Sequence, residues 1–158
     1  MSPSPLHTDQ LVLVNTKELI KVGCFMEKFT VTPRFCETDA LGHINNTSYF
    51  IYLEEARIKF FQSLGYSMNL DDWKFILAST KCDFVNQGHF NQKLSVATYI
   101  TRIGNKSFHL EHEICCEETK QMIATGNAII VFFNFKEQRS EALPGVFREQ
   151  LERHLVVK

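Results

Sequence analysis

Asp39, His43, Asn45 and Asn46 are gathered in the stretch ETDALGHINNTS, Glu37 to Ser48, directly before an amphipathic helical pattern begins. A carboxylate, an imidazole, two amides and the unpaired N–H groups of a helix start would therefore converge on one small region. Such a set is suited to attack on a carbonyl: the carboxylate activates the attacking atom, and the N–H groups receive the charge that develops on oxygen. Composition alone gives a plainer account, since Asp, Gly and Asn also favour turns and helix caps. The spacing of the whole stretch singles out Asp39 as the candidate catalytic carboxylate, with His43, Asn45 and Asn46 as groups that position the substrate.

The elements that must hold these groups can be read from the apolar period. Tyr49, Leu53, Ala56, Phe60 and Leu64 recur at steps of three and four, which predicts a buried helix face on an element about 17 residues long. Asn45, Asn46 or Thr47 would cap its start, and Gly65 would stop it. Before it, apolar and β-branched residues from Phe25 to Phe35 predict a strand that ends near Pro33. After it, four runs predict strands: Phe75 to Val85, Lys93 to Ile103, Ser107 to Cys116 and Met122 to Phe135. The third alternates Phe108, Leu110 and Ile114 with polar residues, as a half-buried antiparallel strand does. A short helix from Pro144 to His154 closes the chain. One strand, one long helix and four strands that can run as an antiparallel meander around it make an α+β domain from residue 25 to 158. Residues 1–24 read as an N-terminal extension with a short turn of helix near Thr16 to Val22.

The 158 residues suffice for one core, burying roughly two-thirds of the unfolded surface. With 17 basic and 18 acidic residues and a formal charge of -1, there is no charged run to hold nucleic acid. No secretory leader is evident, and no apolar stretch reaches the roughly 18 residues of a membrane span. The five cysteines lack CxxC spacing and read as reduced thiols of a cytoplasmic protein, Cys36 being free and partly buried.

RFCETDALGHINNTSYFIYLEEAR, Arg34 to Arg57, resembles the hotdog-fold acyl-CoA thioesterases of the 4-hydroxybenzoyl-CoA thioesterase group, in which a catalytic Asp stands three residues before a Gly-His pair. RIGNKSF, ATGNA and LPGVFREQL resemble the later strands and terminal helix of the same family. The resemblance implies a long helix wrapped by a five-stranded antiparallel sheet, a homodimer or homotetramer, and a site between subunits. It also implies an acyl-CoA or acyl carrier protein thioester as substrate, with no cofactor beyond the coenzyme A that the substrate carries. Asp39 would act as general base or as nucleophile, and the helix start near Asn46 would polarise the carbonyl. Tyr49, otherwise a core position, and Arg102, Lys106 and Ser107 would contact the substrate, the last three at the nucleotide or phosphate end of coenzyme A.

Other groupings carry less. Glu54 and Glu55 fall away from the buried stripe, where a salt bridge with Arg57 or Lys59 is the expected role. Gly104-Asn105-Lys106-Ser107 lacks the spacing of a phosphate loop and joins two strands. His109 and His112 are three apart, hence on opposite faces of a strand, so no metal site is expected. Related thioesterases usually carry a Pro and a Gly-Asp pair between the second and third strands. FVNQGHFNQKL, Phe84 to Leu94, puts Gln87 and Asn91-Gln92 there instead. A hotdog module that binds acyl thioesters or aromatic ligands without turnover is the alternative to a hydrolase.

Overall fold

The apolar stripe that begins at Tyr49 folds as α1, Asn46–Ser63, in the computed structural model, which describes residues 26–156. The N-terminal extension, with its expected helical turn, lies outside the described residues. Asn45 caps α1 through its side-chain oxygen, which accepts from Thr47 N–H at 3.1 Å. At the other end Gly65 takes φ +84°, while Gly65 N–H donates to Gln62 O and Tyr66 N–H to Phe61 O, the paired bonds that close a helix on a left-handed residue.

The strands are β1 (Glu27–Val31), β2 (Phe75–Phe84), β3 (Leu94–Ile103), β4 (Ser107–Cys116), β5 (Met122–Asn134) and the two-residue β6 (Arg139–Ser140). The chain ends in α2, Gly145–Glu152. β1 stops before Pro33, and a 3-10 turn at Phe35–Glu37 leads into the loop that carries Asp39. β4 alternates half-buried and buried residues along its whole length, and His109 and His112 do face opposite sides.

The sheet order is β1-β3-β4-β5-β2, every pairing antiparallel, with β6 added to β5. β3, β4 and β5 form a meander, but β2 does not join it beside β3 as expected. β1 already occupies that edge of β3, from Glu27↔Thr98 to Val31↔Leu94. β2 therefore takes the free edge of β5, from Phe75↔Phe132 to Phe84↔Ala124, and residues 85–93 must cross from one side of the sheet to the other. That crossing brings them past the start of α1. The β6 strand is also an addition to the five expected.

Two apolar clusters lie between α1 and the sheet. Tyr49, Tyr52, Leu53 and Ala56 pack with Leu94, Val96, Ile114 and Ile123 at the N-terminal half of the helix. Phe60, Phe61 and Leu64 pack with Phe75, Phe108, Phe132 and Phe147 at the C-terminal half. Burial on this scale, with stacked and edge-on aromatic pairs such as Phe61 on Phe75 at 4.4 Å, sets the helix firmly against the sheet. Glu54 and Glu55 are exposed as the helical wheel requires, but neither pairs with Arg57 or Lys59 among the described residues. Arg57 is instead buried, and its Nη1 has no partner among the described residues. Its position one residue from Ala56 and three from Phe60 turns it toward the sheet, where the Glu54 charge acts on it without a direct ion pair. Cys36, expected to be partly buried, is exposed on the 3-10 turn.

Candidate active site

The loop from Thr38 to Asn45 is closed on itself around Asp39. Asp39 N–H donates to His43 O at 2.8 Å, and Gly42 N–H donates to Asp39 O at 3.1 Å. The Asp39 side chain completes the turn: Oδ1 accepts from Leu41 N–H at 2.8 Å and from His43 N–H at 3.1 Å. Gly42 sits at φ +78°, a conformation that a side chain would strain, which accounts for glycine before His43. One carboxylate oxygen is thus fixed by the backbone. Among the described residues Oδ2 has no hydrogen-bond partner, which leaves it open for chemistry.

The same economy marks the helix start. Ser48 N–H donates to Asn45 O at 2.9 Å, and Thr47 N–H is taken by the Asn45 side chain. Asn46 N–H, in contrast, has no acceptor among the described residues, so it is the donor that remains for a ligand at the positive end of the helix dipole. The expected roles of the two asparagines separate here: the Asn45 side-chain oxygen serves the cap, and Asn46 offers its backbone.

Glu37 ties the loop to the helix. Its carboxylate accepts from Arg34 N–H at 2.8 Å, from the Arg34 guanidinium at 2.6 and 3.0 Å, and from the Tyr52 hydroxyl at 2.9 Å. Its carbonyl accepts from Asn45 N–H at 2.8 Å and from Ser48 Oγ at 3.1 Å. Burial pushes this carboxyl upward, but the Arg34 and Tyr52 hydrogen bonds outweigh it and hold the group below the ordinary range. Tyr52 is raised by burial and by the adjacent carboxylate.

A cleft of ≈ 290 Å³ opens beside these groups, and Asp39, His43, Asn45, Asn46 and Tyr49 all line it. Phe84, Asn86, Gln87 and Gly88 form the opposite wall. Gly88 clamps the two walls together: its carbonyl accepts from Ile44 N–H at 2.8 Å and its N–H bonds to the Tyr49 hydroxyl. A Cβ at this position would lie 2.5 Å from Ile44 Cδ1 and 2.9 Å from the Tyr49 oxygen, so any side chain here would force these neighbours to shift.

This geometry coincides with a family match over residues 33–151, to the thioesterase-like superfamily. The chain belongs to that superfamily. A predicted thioesterase from Bacillus stearothermophilus superposes with a TM-score of 0.79 at 33% identity, over 85% of this chain and 99% of that one. An uncharacterised protein, YsmA, of Bacillus subtilis (strain 168) is 34% identical over 82 residues, 52% of this chain and 56% of that protein, so the match spans little more than half of that relative. The long-chain acyl-CoA thioesterase FadM of Escherichia coli (strain K12) is 26% identical over 117 residues, 72% of this chain and 88% of FadM. The helix-wrapped antiparallel sheet is the hotdog fold, and the chain is a thioester hydrolase by family.

Within the single chain this thioesterase brings Asp39, His43, Asn45, Asn46 and Tyr49 together, but not Arg102, Lys106 and Ser107. These stand at the β3–β4 hairpin, beside the Ile103↔Phe108 pair. Phe108 belongs to the cluster at the C-terminal half of α1, whereas the cleft lies at its N-terminal half. Lys106 Nζ donates to Ser140 O at 3.2 Å, and Arg102 is exposed. Sequence reasoning passed over Glu37, Tyr52 and Gly88. Arg34 and Glu37, three apart, gave a local charge signal, and Tyr52 lies one helical turn after Tyr49 on the buried face. Gly88 had no signal beyond its place in the unusual segment. Among the described residues no helix is long and apolar enough to cross a membrane.

Proposed function

We propose that this thioesterase hydrolyses an acyl-CoA thioester, with Asp39 activating the attack and Asn46 N–H receiving the developing oxyanion. The observation that carries the reading is the asymmetry of Asp39: Oδ1 is held by two backbone N–H groups, while Oδ2 is unpartnered among the described residues and the side chain lines the cleft. A thiol is a far better leaving group than an alcohol, so no strong acid is needed at sulfur. As general base, Oδ2 takes a proton from water as the hydroxide oxygen bonds to the carbonyl carbon. The negative charge moves to the carbonyl oxygen, returns as the C–S bond breaks, and the thiolate recovers a proton. As nucleophile, Oδ2 bonds to the carbonyl carbon, expels the thiolate and leaves an anhydride that water then cleaves.

A preorganised donor such as Asn46 N–H lowers the barrier by roughly 3 kcal/mol. The cytoplasm is the setting this reading assigns. Arg102, Lys106 and Ser107 would reach the nucleotide end of coenzyme A only from a second copy of the chain, which fits a homodimer.

The test is a panel of short, long and aromatic acyl-CoA esters with a thiol-detecting reagent, run on the parent and Asp39→Asn. Turnover in the parent and its loss in the variant support the reading; binding without turnover across the panel sinks it. Single turnover in labelled water then tests for the nucleophilic route with water attacking the Asp39 carboxyl carbon of the anhydride, which alone places the label in the Asp39 carboxylate.

A further inference from the structure

The segment between β2 and β3 carries a second imidazole to the loop that bears Asp39. His43 and His89 form an isolated antiparallel bridge, secured one residue further on by Ile44 N–H donating to Gly88 O at 2.8 Å. Their ring centroids are 5.3 Å apart with the planes at 67°, an edge-on contact. Among the described residues neither imidazole has a hydrogen-bond partner. His43 gives only its backbone N–H and carbonyl, both to Asp39, and His89 gives its N–H to the Gln92 side chain at 3.1 Å. A histidine oriented for catalysis commonly has one ring nitrogen hydrogen-bonded to a fixed acceptor. Here the directional contact on the His43 ring is the edge of its neighbour.

The segment bearing His89 is itself held. Asn91, at φ 59°, donates its N–H to Pro33 O at 3.1 Å, Gln92 N–H donates to His89 O at 3.3 Å, and the Phe90 ring meets Phe35 edge-on at 6.0 Å. The backbone just after His89 is therefore anchored to the strand end and turn that precede Asp39, and Gly88 just before it to Ile44.

We propose that His89 is a positioning residue: its ring holds the His43 imidazole at the wall of the cleft beside Asp39. This rests on the thioesterase reading above. Because His43 adjoins the activating carboxylate and is remote from the β3–β4 hairpin, loss of the contact acts on kcat more than on KM.

The test uses the full chain with His89→Ala, His89→Phe and His89→Gln. An aromatic contact of this kind is expected to change kcat by about three- to ten-fold. His89→Ala should show that fall with KM near the parent value, His89→Phe should restore kcat to within about two-fold, and His89→Gln, which keeps polarity but no ring, should not. Ring proton resonances of His43 should shift in His89→Ala and return toward the parent in His89→Phe, with the amide spectrum elsewhere reporting an intact fold. Parent-like kcat in His89→Ala, rescue by Gln equal to that by Phe, or unmoved His43 resonances each overturn the proposal. If the parent itself turns over no acyl-CoA, the thioesterase reading fails separately, and the His43 resonances still decide whether His89 holds the ring.

Discussion

The Tyr52 hydroxyl donates to Glu37 Oε2 at 2.9 Å, joining the middle of the central helix to the turn two residues before Asp39. Through this bond, and through the Glu37 carbonyl on Asn45 and Ser48, the Asp39 loop and the start of α1 are held in one frame.

Asp39→Asn keeps an oxygen for the Leu41 and His43 N–H groups but removes the base or nucleophile. Turnover of acyl-CoA should fall about 10²- to 10⁴-fold, while the thermal midpoint stays close to the parent's. Steady-state kinetics beside a melting curve check this. A variant that loses its fold, or one that keeps full turnover, contradicts the assignment of Asp39.

Glu37 makes stability depend on acid. Its folded carboxyl lies below the ordinary value of 4.5, so the ionised form contributes stability that is complete above pH 4.5 and declines as pH falls through the folded value. Glu37→Gln should be less stable than the parent at neutral pH, and the gap should narrow below pH 4.5. Denaturant midpoints across pH 3 to 7 measure it; a gap that is independent of pH removes the carboxylate from the account.

His112 acts in a higher window. Burial, with the Arg57 charge nearby, lowers its imidazole from 6.5 to about 3, and its Nδ1 is engaged with Thr98 Oγ1 at 2.9 Å. The unfolded chain binds the extra proton between these values. Stability should therefore be constant above pH 6.5 and fall on acidification toward pH 3, by at most about 1.4 kcal/mol per unit from this one group. His112→Phe should flatten that limb between pH 5 and 6.5, where Glu37 has little influence, in the same denaturation series.

Gly88→Ala drives a methyl into Ile44 Cδ1 and the Tyr49 oxygen. A destabilisation of about 1–3 kcal/mol is expected, together with loss of turnover as the two walls of the cleft part. Adding Ile44→Val, which deletes the nearer clashing atom, should recover part of both. Independent, additive effects in this double-mutant cycle would show that Gly88 and Ile44 do not share the contact.

Where local pattern decided structure, the sequence was legible. The strict alternation from Ser107 to Cys116 marked β4 at both ends, and the stripe from Tyr49 with Gly65 behind it marked α1 within a residue or two. The pairing of β2 was not legible, because it depends on which sheet edge β1 leaves open rather than on anything within Phe75 to Phe84. Asp39 and the groups around it could be named because the motif is contiguous. Glu37 could not, since its meaning lies in Tyr52, 15 residues away along the chain and visible only once α1 is packed. Arg57 misled for the same reason: a guanidinium beside two glutamates suggests a surface pair, and only tertiary packing turns it inward.

The strand order has a consequence for how the molecule is made. Among the described residues β2 has a single strand partner, β5, which is nearly the last of the sheet to be synthesised, and the wall from Phe84 to Gly88 hangs from the end of β2. A nascent chain that has emerged only as far as Gln121 already contains the entire Asp39 motif, α1 and the Gly88 contact with Ile44, yet lacks the β5 backbone that pairs with β2 and accepts Val85 and Asn86 N–H at Ile123 O. Competence to process a thioester therefore arrives late and all at once, when residues 122–134 zip onto β2, and a ribosome-stalled or truncated chain ending before Met122 should be inert although every proposed catalytic group is present.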